Sequence, residues 1–264
     1  MIERALIGCA LAALIAGCAV TREDTADADA PEEAGGRAWT SPVGLDYTIR
    51  PTANEDSLCH NFEEAGEPAL EPEEPIEAGC AADDFCGTAR AKVKTSIVNA
   101  AVETFASVPD LLATLDTRVP NAPATQRAPE ERRNVTVDAL IYAAKAVEDH
   151  DFHLIVGTEP VEDGEVTFFN VEVSGLPRSG VHRTPLRAAR DAYRAIFAGA
   201  VPGKRYATYD PPLPVRITGS LFYDTEHDSE IERGECSPIG TGICKPCTAW
   251  EIHPVTAIES LEQP

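Results

Sequence analysis

From Asn134 onward, apolar and polar positions alternate with the period of two that places successive side chains on opposite faces of a strand. Val135, Val137, Ala139 and Ile141 share one face of a first strand, and Glu148-Asp149-His150 reads as a tight polar turn after it. Phe152, Leu154 and Val156 make the core face of a second strand, which puts Asp151, His153 and Ile155 on the other face. Asp163-Gly164 signals a turn into a third strand over 166–173, with Phe169, Val171 and Val173 inward. The period then changes to that of a helix. Thr184 suits its N-cap, Pro185 its first position and Gly199 its stop. Leu186, Ala189, Tyr193, Ile196 and Phe197 form the apolar face, and Arg187, Arg190 and Arg194 line another that reads as the solvent side. Two strands close the pattern, over 215–223 and 249–258, with Gly219 where a bulge or sharp coiling is needed.

Strand, strand, strand, helix, strand, strand is the order of the OB-fold, a small five-stranded Greek-key barrel with its helix between strands three and four. The expected class is therefore mainly β, with an OB-like barrel over 134–264. Upstream, 91–95 reads as a short strand. Ser107-Val108-Pro109-Asp110 reads as a helix start with Leu111, Leu112 and Leu115 as its buried side, and 120–129 as a loop. The stretch 86–133 is expected to pack on the barrel as an extension.

The start of the chain changes the picture of where this barrel resides. Arg4, an apolar run over 5–15 and then Leu14-Ile15-Ala16-Gly17-Cys18 resemble a bacterial lipoprotein signal peptide, in which the Cys is lipidated and becomes the first mature residue. The run is shorter than the about 20 residues a membrane-spanning helix needs. A cleaved secretory signal ending near Gly17-x-Ala19 is the competing reading. On the lipoprotein reading, 1–17 is removed, and Cys18 ties an exported protein to a bacterial membrane. Ala19 in place of Asp points to the outer membrane or cell surface.

Charge divides the remainder. Residues 19–85 carry 18 Asp and Glu against Arg22, Arg37 and Arg50, a net −15 of the total −22, which leaves −7 for 86–264. So acidic a stretch has little to bury and repels itself, so 18–85 is expected to be a disordered acidic tether. With Cys9 and Cys18 set aside, Cys59, Cys80, Cys86, Cys236, Cys244 and Cys247 remain as disulfide candidates in an exported chain. Local bridges, Cys59 with Cys80 or Cys86 and Cys236 with Cys244 or Cys247, need the least folding. Cys244-Lys245-Pro246-Cys247 precedes a strand instead of opening a helix, which argues against thioredoxin-like chemistry. A zinc site of Cys236, Cys244, Cys247 and His227 is a further option.

Three short motifs hold the candidate chemistry: Asp151-Phe152-His153-Leu154, Phe222-Tyr223-Asp224-Thr225-Glu226-His227 and Trp250-Glu251-Ile252-His253-Pro254-Val255. With Thr218-Gly219 and the stretch Cys86-Gly87-Thr88-Ala89-Arg90-Ala91-Lys92-Val93-Lys94-Thr95, they resemble a group of uncharacterised exported bacterial proteins. That group shares D-x-H-L, T-G-x-x-F-x-D-x-x-H and E-[IL]-H-P-V strands. The resemblance covers roughly 86–264 and implies kinship without an activity. Many relatives carry a Cys after the third strand, where this chain has Gly175-Leu176-Pro177, which leaves open the partner of Cys86.

An OB topology brings the first-to-second turn and the fourth-to-fifth loop together, so Asp151, His153, Asp224, His227, Glu251 and His253 are expected to converge. His153, His227 and His253 are then candidate ligands of a divalent metal. The competing reading is a hydrogen-bonded network that fixes loops to the barrel, with no cofactor and no catalytic residue. Two functions follow: a lipid-tethered binding module for an unidentified ligand or protein partner, or a metal-dependent hydrolase built on the His/Asp/Glu cluster. Nucleic acid is disfavoured, because a domain at −7 offers no basic footprint.

Overall fold

The computed structural model describes residues 37–40, 46–51, 80–116, 118–119, 122–160, 166–197, 201–204, 206–227, 246 and 248–261, all within the compact unit Glu32–Pro264. The protein is mainly β. Its elements run β1 (Arg37–Thr40), β2 (Asp46–Pro51), α1 (Ala91–Lys94), β3 (Val102–Phe105), α2 (Val108–Leu112), β4 (Asn134–Ala146), β5 (Phe152–Gly157), β6 (Phe168–Val173), α3 (Arg183–Ile196), β7 (Ala207–Tyr223) and β8 (Trp250–Ser260).

All eight strands belong to one sheet, ordered β1-β2-β7-β8-β6-β5-β4-β3, with β7 also paired to β4. That extra pairing runs antiparallel from Asn134 opposite Ser220 to Ala144 opposite Ala207, so β4, β5, β6, β8 and β7 form a ring. Only β6 and β8 pair in parallel within it. The alternation read from the sequence decides what fills the ring. Val135, Val137, Ile141, Leu154, Val156, Phe169, Val171, Val173, Ile217 and Leu221 are all buried in one core. From α3, Leu186, Ala189, Tyr193 and Ile196 are buried, and Tyr193 stacks between Phe152 and Phe197, each with its ring centre 4.8 Å away.

Gly219 sits at a register irregularity between β7 and β8. A Cβ there would lie 2.5 Å from both Ile252 Cγ2 and the Pro254 carbonyl oxygen, so the two strands cross too closely for any side chain at this position.

Several expectations are corrected by the fold. Residues 91–95 are not a strand: Ala91–Lys94 is a helical turn entered through Arg90 at φ 45°. The helix α3 begins at Arg183 with His182 as its cap residue, two positions before the Thr184 expected to cap it. Arg190 does not belong to a solvent-facing stripe. It is buried, lies over the Phe152 ring and donates to the carbonyls of His150, Val173 and Ser174. Cys59 is not the partner of Cys80 or Cys86, which are bonded to each other with their Cα atoms 5.8 Å apart. Two strands, β1 and β2, form inside the stretch expected to be a disordered tether, and β2 pairs with β7. β3, unanticipated, adds in parallel to β4. The Asp163-Gly164 turn, Gly199, Cys9, Cys18, Cys59, Cys236, Cys244 and Cys247 lie outside the described residues.

In the extension, Ser107 caps α2 as its sequence suggests, accepting from the Asp110 N–H at 3.3 Å. Val108 and Leu111 then enter the main hydrophobic core together with Val119 and Ala128. Among the described residues no helix is long and apolar enough to cross a membrane.

Candidate functional site: an acidic wall under a roof

Side chains that alternate with the core positions of β5, β6, β7 and β8 point away from the core, yet they are buried too. Asp151, Glu172, Phe222, Glu251 and His253 are each 2% exposed or less. The segment 85–98 is fastened against this face. Its backbone is pinned by the Phe85 N–H to the Leu176 carbonyl, the Cys86 N–H to the Asp149 carbonyl and the Val98 N–H to Ser220 Oγ. Arg90 places its guanidinium 4.7 Å from the centre of the Phe222 ring, and Lys94 its ammonium 5.7 Å away. Phe222 in turn lies against His253, with ring centres 5.3 Å apart.

Two buried arginines bolt this roof down. Arg90 forms a bidentate pair with Glu131 at 2.7 and 2.8 Å and donates to the Tyr223 carbonyl at 2.8 Å. Glu131 is fully used: it also accepts from the N–H groups of Ala128 and Tyr223. Arg127 donates to the carbonyls of Val93 at 2.9 Å, Ser96 at 2.7 Å, His253 at 3.0 Å and Leu221. One side chain thus ties the roof to β7 and β8.

Strand register sets the geometry beneath. His153 is directly opposite Glu172 across the β5–β6 pair, and Asn170 is opposite Glu251 across β6–β8, which brings Glu172 beside His253. Glu172 therefore sits between two imidazoles. His153 Nε2 is 2.9 Å from Glu172 Oε1, and His253 Nδ1 is 2.6 Å from Glu172 Oε2. The other His253 nitrogen, Nε2, is 3.2 Å from Asp151 Oδ2. Asp151 Oδ1 accepts from the Gly175 N–H, and the Asp151 N–H donates to Asp149 Oδ1 at 3.1 Å.

The approaches to His253 are close but off the line that a hydrogen bond needs. By hydrogen-bond geometry neither His253 nitrogen has a partner, nor do Asp151 Oδ2, Glu172 Oε2 or either oxygen of Glu251. Glu251 Oε2 is 3.8 Å from His253 Nδ1. The electrostatics agree that negative charge is in excess. Burial and then the neighbouring Asp151 charge push Asp149 up to about 7, and burial with the Glu172 charge does the same for Glu251. Burial disfavours a charged His253, but the Glu172 and Asp151 carboxylates outweigh it and hold its pKa well above the ordinary imidazole value. The two histidines likewise overcome the burial of Glu172 and hold its carboxyl well below the usual range.

Ligating atoms within 4.8 Å of one another form two groups, Asp151–Glu172–His253 and Asp224–His227–Glu251. Five of the six residues read from the sequence, Asp151, Asp224, His227, Glu251 and His253, thus fall into these two groups. The three histidines do not meet as one ligand set. Each group holds one, and His153 stands outside both, on the far oxygen of Glu172. Sequence reading missed Glu172, Asp149 and the roof residues Arg90, Lys94 and Arg127. Glu172 did leave a signal: it is the one acid within Phe168–Val173, on the face opposite Phe169, Val171 and Val173.

Comparison with protein-family models, curated proteins and solved structures finds no match to this chain.

Proposed function

We propose that this is an exported protein, anchored through lipid on Cys18, whose OB-like barrel serves as a binding module for a divalent cation held by Asp151, Glu172 and His253. The order in which the five ring strands pair, with α3 between the third and fourth, supports the OB-like reading.

One observation carries the cation reading: a fully buried imidazole has a carboxylate oxygen at each nitrogen and in-line hydrogen bonds to neither. A neutral imidazole offers one N–H and one lone pair. One of its two nitrogens therefore confronts an acceptor with an acceptor, unless a proton or a cation lies between. A metal-bound imidazole resolves this, with one nitrogen on the ion and the other donating to an oxygen. Two carboxylates and an imidazole are a donor set for first-row divalent ions such as Mn²⁺ or Zn²⁺. A closed hydrogen-bonded network accounts for the His153–Glu172 pair but leaves the Glu251 oxygens without partners.

Two measurements test the proposal. The full chain, purified in detergent and stripped of metal, is expected to bind Mn²⁺ or Zn²⁺ in equilibrium dialysis. At a free ion concentration of 100 times Kd its stability should rise by about 2.7 kcal/mol. Glu172→Gln should weaken binding at least tenfold, and a wild-type chain that binds no ion and does not shift its melting temperature overturns the cation. For the anchor, Cys18→Ser is expected to move the protein from the membrane to the soluble exported fraction. Retention in the membrane overturns it.

A further inference from the structure

We propose that the wall holds a second divalent cation, at Asp224, His227 and Glu251, and that the Glu251 carboxylate stands between the two ions. This rests on the cation reading above and extends it from one ion to an adjacent pair.

The second group is assembled by different elements from the first. Asp224 follows the last residue of β7, His227 lies three residues further along the same loop, and Glu251 comes from β8 opposite Phe222. Their ligating atoms lie within 4.8 Å of one another. Asp224 has one oxygen committed, since Oδ1 accepts from the Glu226 N–H at 2.9 Å. Its other oxygen, Oδ2, lies 3.7 Å from His227 Nε2, beyond hydrogen-bond range but within the span that an ion between them sets.

Glu251 points to a ligand independently of the acids around it. Its carboxylate is buried, and neither oxygen has a hydrogen-bond partner. A carboxylate in that position costs several kcal/mol unless something positive, a cation or a proton, compensates it. It belongs to the second group, yet its Oε2 is also 3.8 Å from His253 Nδ1 in the first. Glu251 and His253 are two residues apart on β8, and strand geometry places them on one face. A carboxylate within reach of two ligand groups is the arrangement found where paired ions sit about 3.5–4 Å apart.

The two sites differ in access. Asp151, Glu172 and His253 are sealed, whereas the His227 side chain is 25% exposed. The inner ion is therefore enclosed by protein. The outer one faces solvent, keeps water in its remaining positions and exchanges faster.

Metal content after dialysis of the full chain against Mn²⁺ or Zn²⁺ decides the matter. Two ions per chain are expected, one of them lost at least tenfold faster on dilution into chelator. An Asp224→Asn, His227→Ala double variant should retain a single slow ion, and a melting profile in chelator that matches the wild type in chelator would show that the barrel is intact. Glu251→Gln should weaken both sites. One ion per chain in the wild type, or two ions surviving in the double variant, overturns the second site and leaves the first standing. No bound ion at all overturns both.

Discussion

Replacing His253 with alanine is expected to cost about 3–5 kcal/mol of folding stability at neutral pH, the range measured when one member of a buried charged cluster is removed. The substitution leaves Asp151 and Glu172 on either side of an apolar gap, fully buried and without the ring that separates them. The defect should also depend on pH. In the native protein the two histidines hold Glu172 well below its ordinary 4.5, so its contribution is present above that value and is lost as pH falls through the depressed pKa. Without His253 the Glu172 carboxyl moves up toward the protonated form. The gap between variant and native protein should therefore widen as pH rises from about 4 to 7 and narrow in acid. Urea denaturation across that range measures it. A variant within 1 kcal/mol of the native protein at neutral pH, with no pH dependence, would mean that His253 is a bystander in the cluster.

The second large effect is expected at Arg127. Methionine at this position fills similar length but donates nothing. The carbonyls of Val93, Ser96, Leu221 and His253 all lose a charged donor inside the protein. Burial already depresses the Arg127 pKa to about 10, so the group is still charged at neutral pH and its bonds are charge-assisted. Loss of about 4 kcal/mol is expected, several buried acceptors each costing about 1–3 kcal/mol when left unpaired. The damage should be local first. Amide exchange at 93–96 should accelerate before that of β4 or β6, because Arg127 joins these residues to β7 and β8, while Val98 keeps its own bond to Ser220 Oγ. Lysine should recover only part of the loss, since one ammonium cannot span the fork that reaches all four carbonyls. Unchanged exchange at 93–96 in Arg127→Met would show that the roof is held by other contacts.

Much of the sheet was legible because its signal is local. Period-two alternation in 134–141, 152–156 and 169–173 named the core faces correctly, since a sheet filled on one side must place its large apolar residues at every second position. The apolar face of α3 was equally plain. The Arg187/Arg190/Arg194 face was not. Whether an arginine on a helix meets water or a cluster of carbonyls depends on what the rest of the chain brings to it, and here Asp83 and the turn at His150 arrive at Arg190. The helical turn at Ala91–Lys94 was missed for a similar reason. Four residues are too few to carry a period, and the turn is stabilised by its place on the wall, not by its own sequence.

The candidate site divides along the same line. The strand order predicts that Asp151, His153, Asp224, His227, Glu251 and His253 converge, and all of these but His153 fall into the two groups. Which atoms meet did not follow. Register across β5, β6 and β8 puts Glu172 between His153 and His253, and no pattern within a single segment encodes a register between three. The wall also meets a segment some 55–170 residues away in the chain, fastened by Arg90 and Arg127. Side-chain chemistry and alternation are written one residue after another, so they can be read in order. Confinement of charge is a property of the assembled surface, because the energy of a carboxylate is set by what excludes water from it.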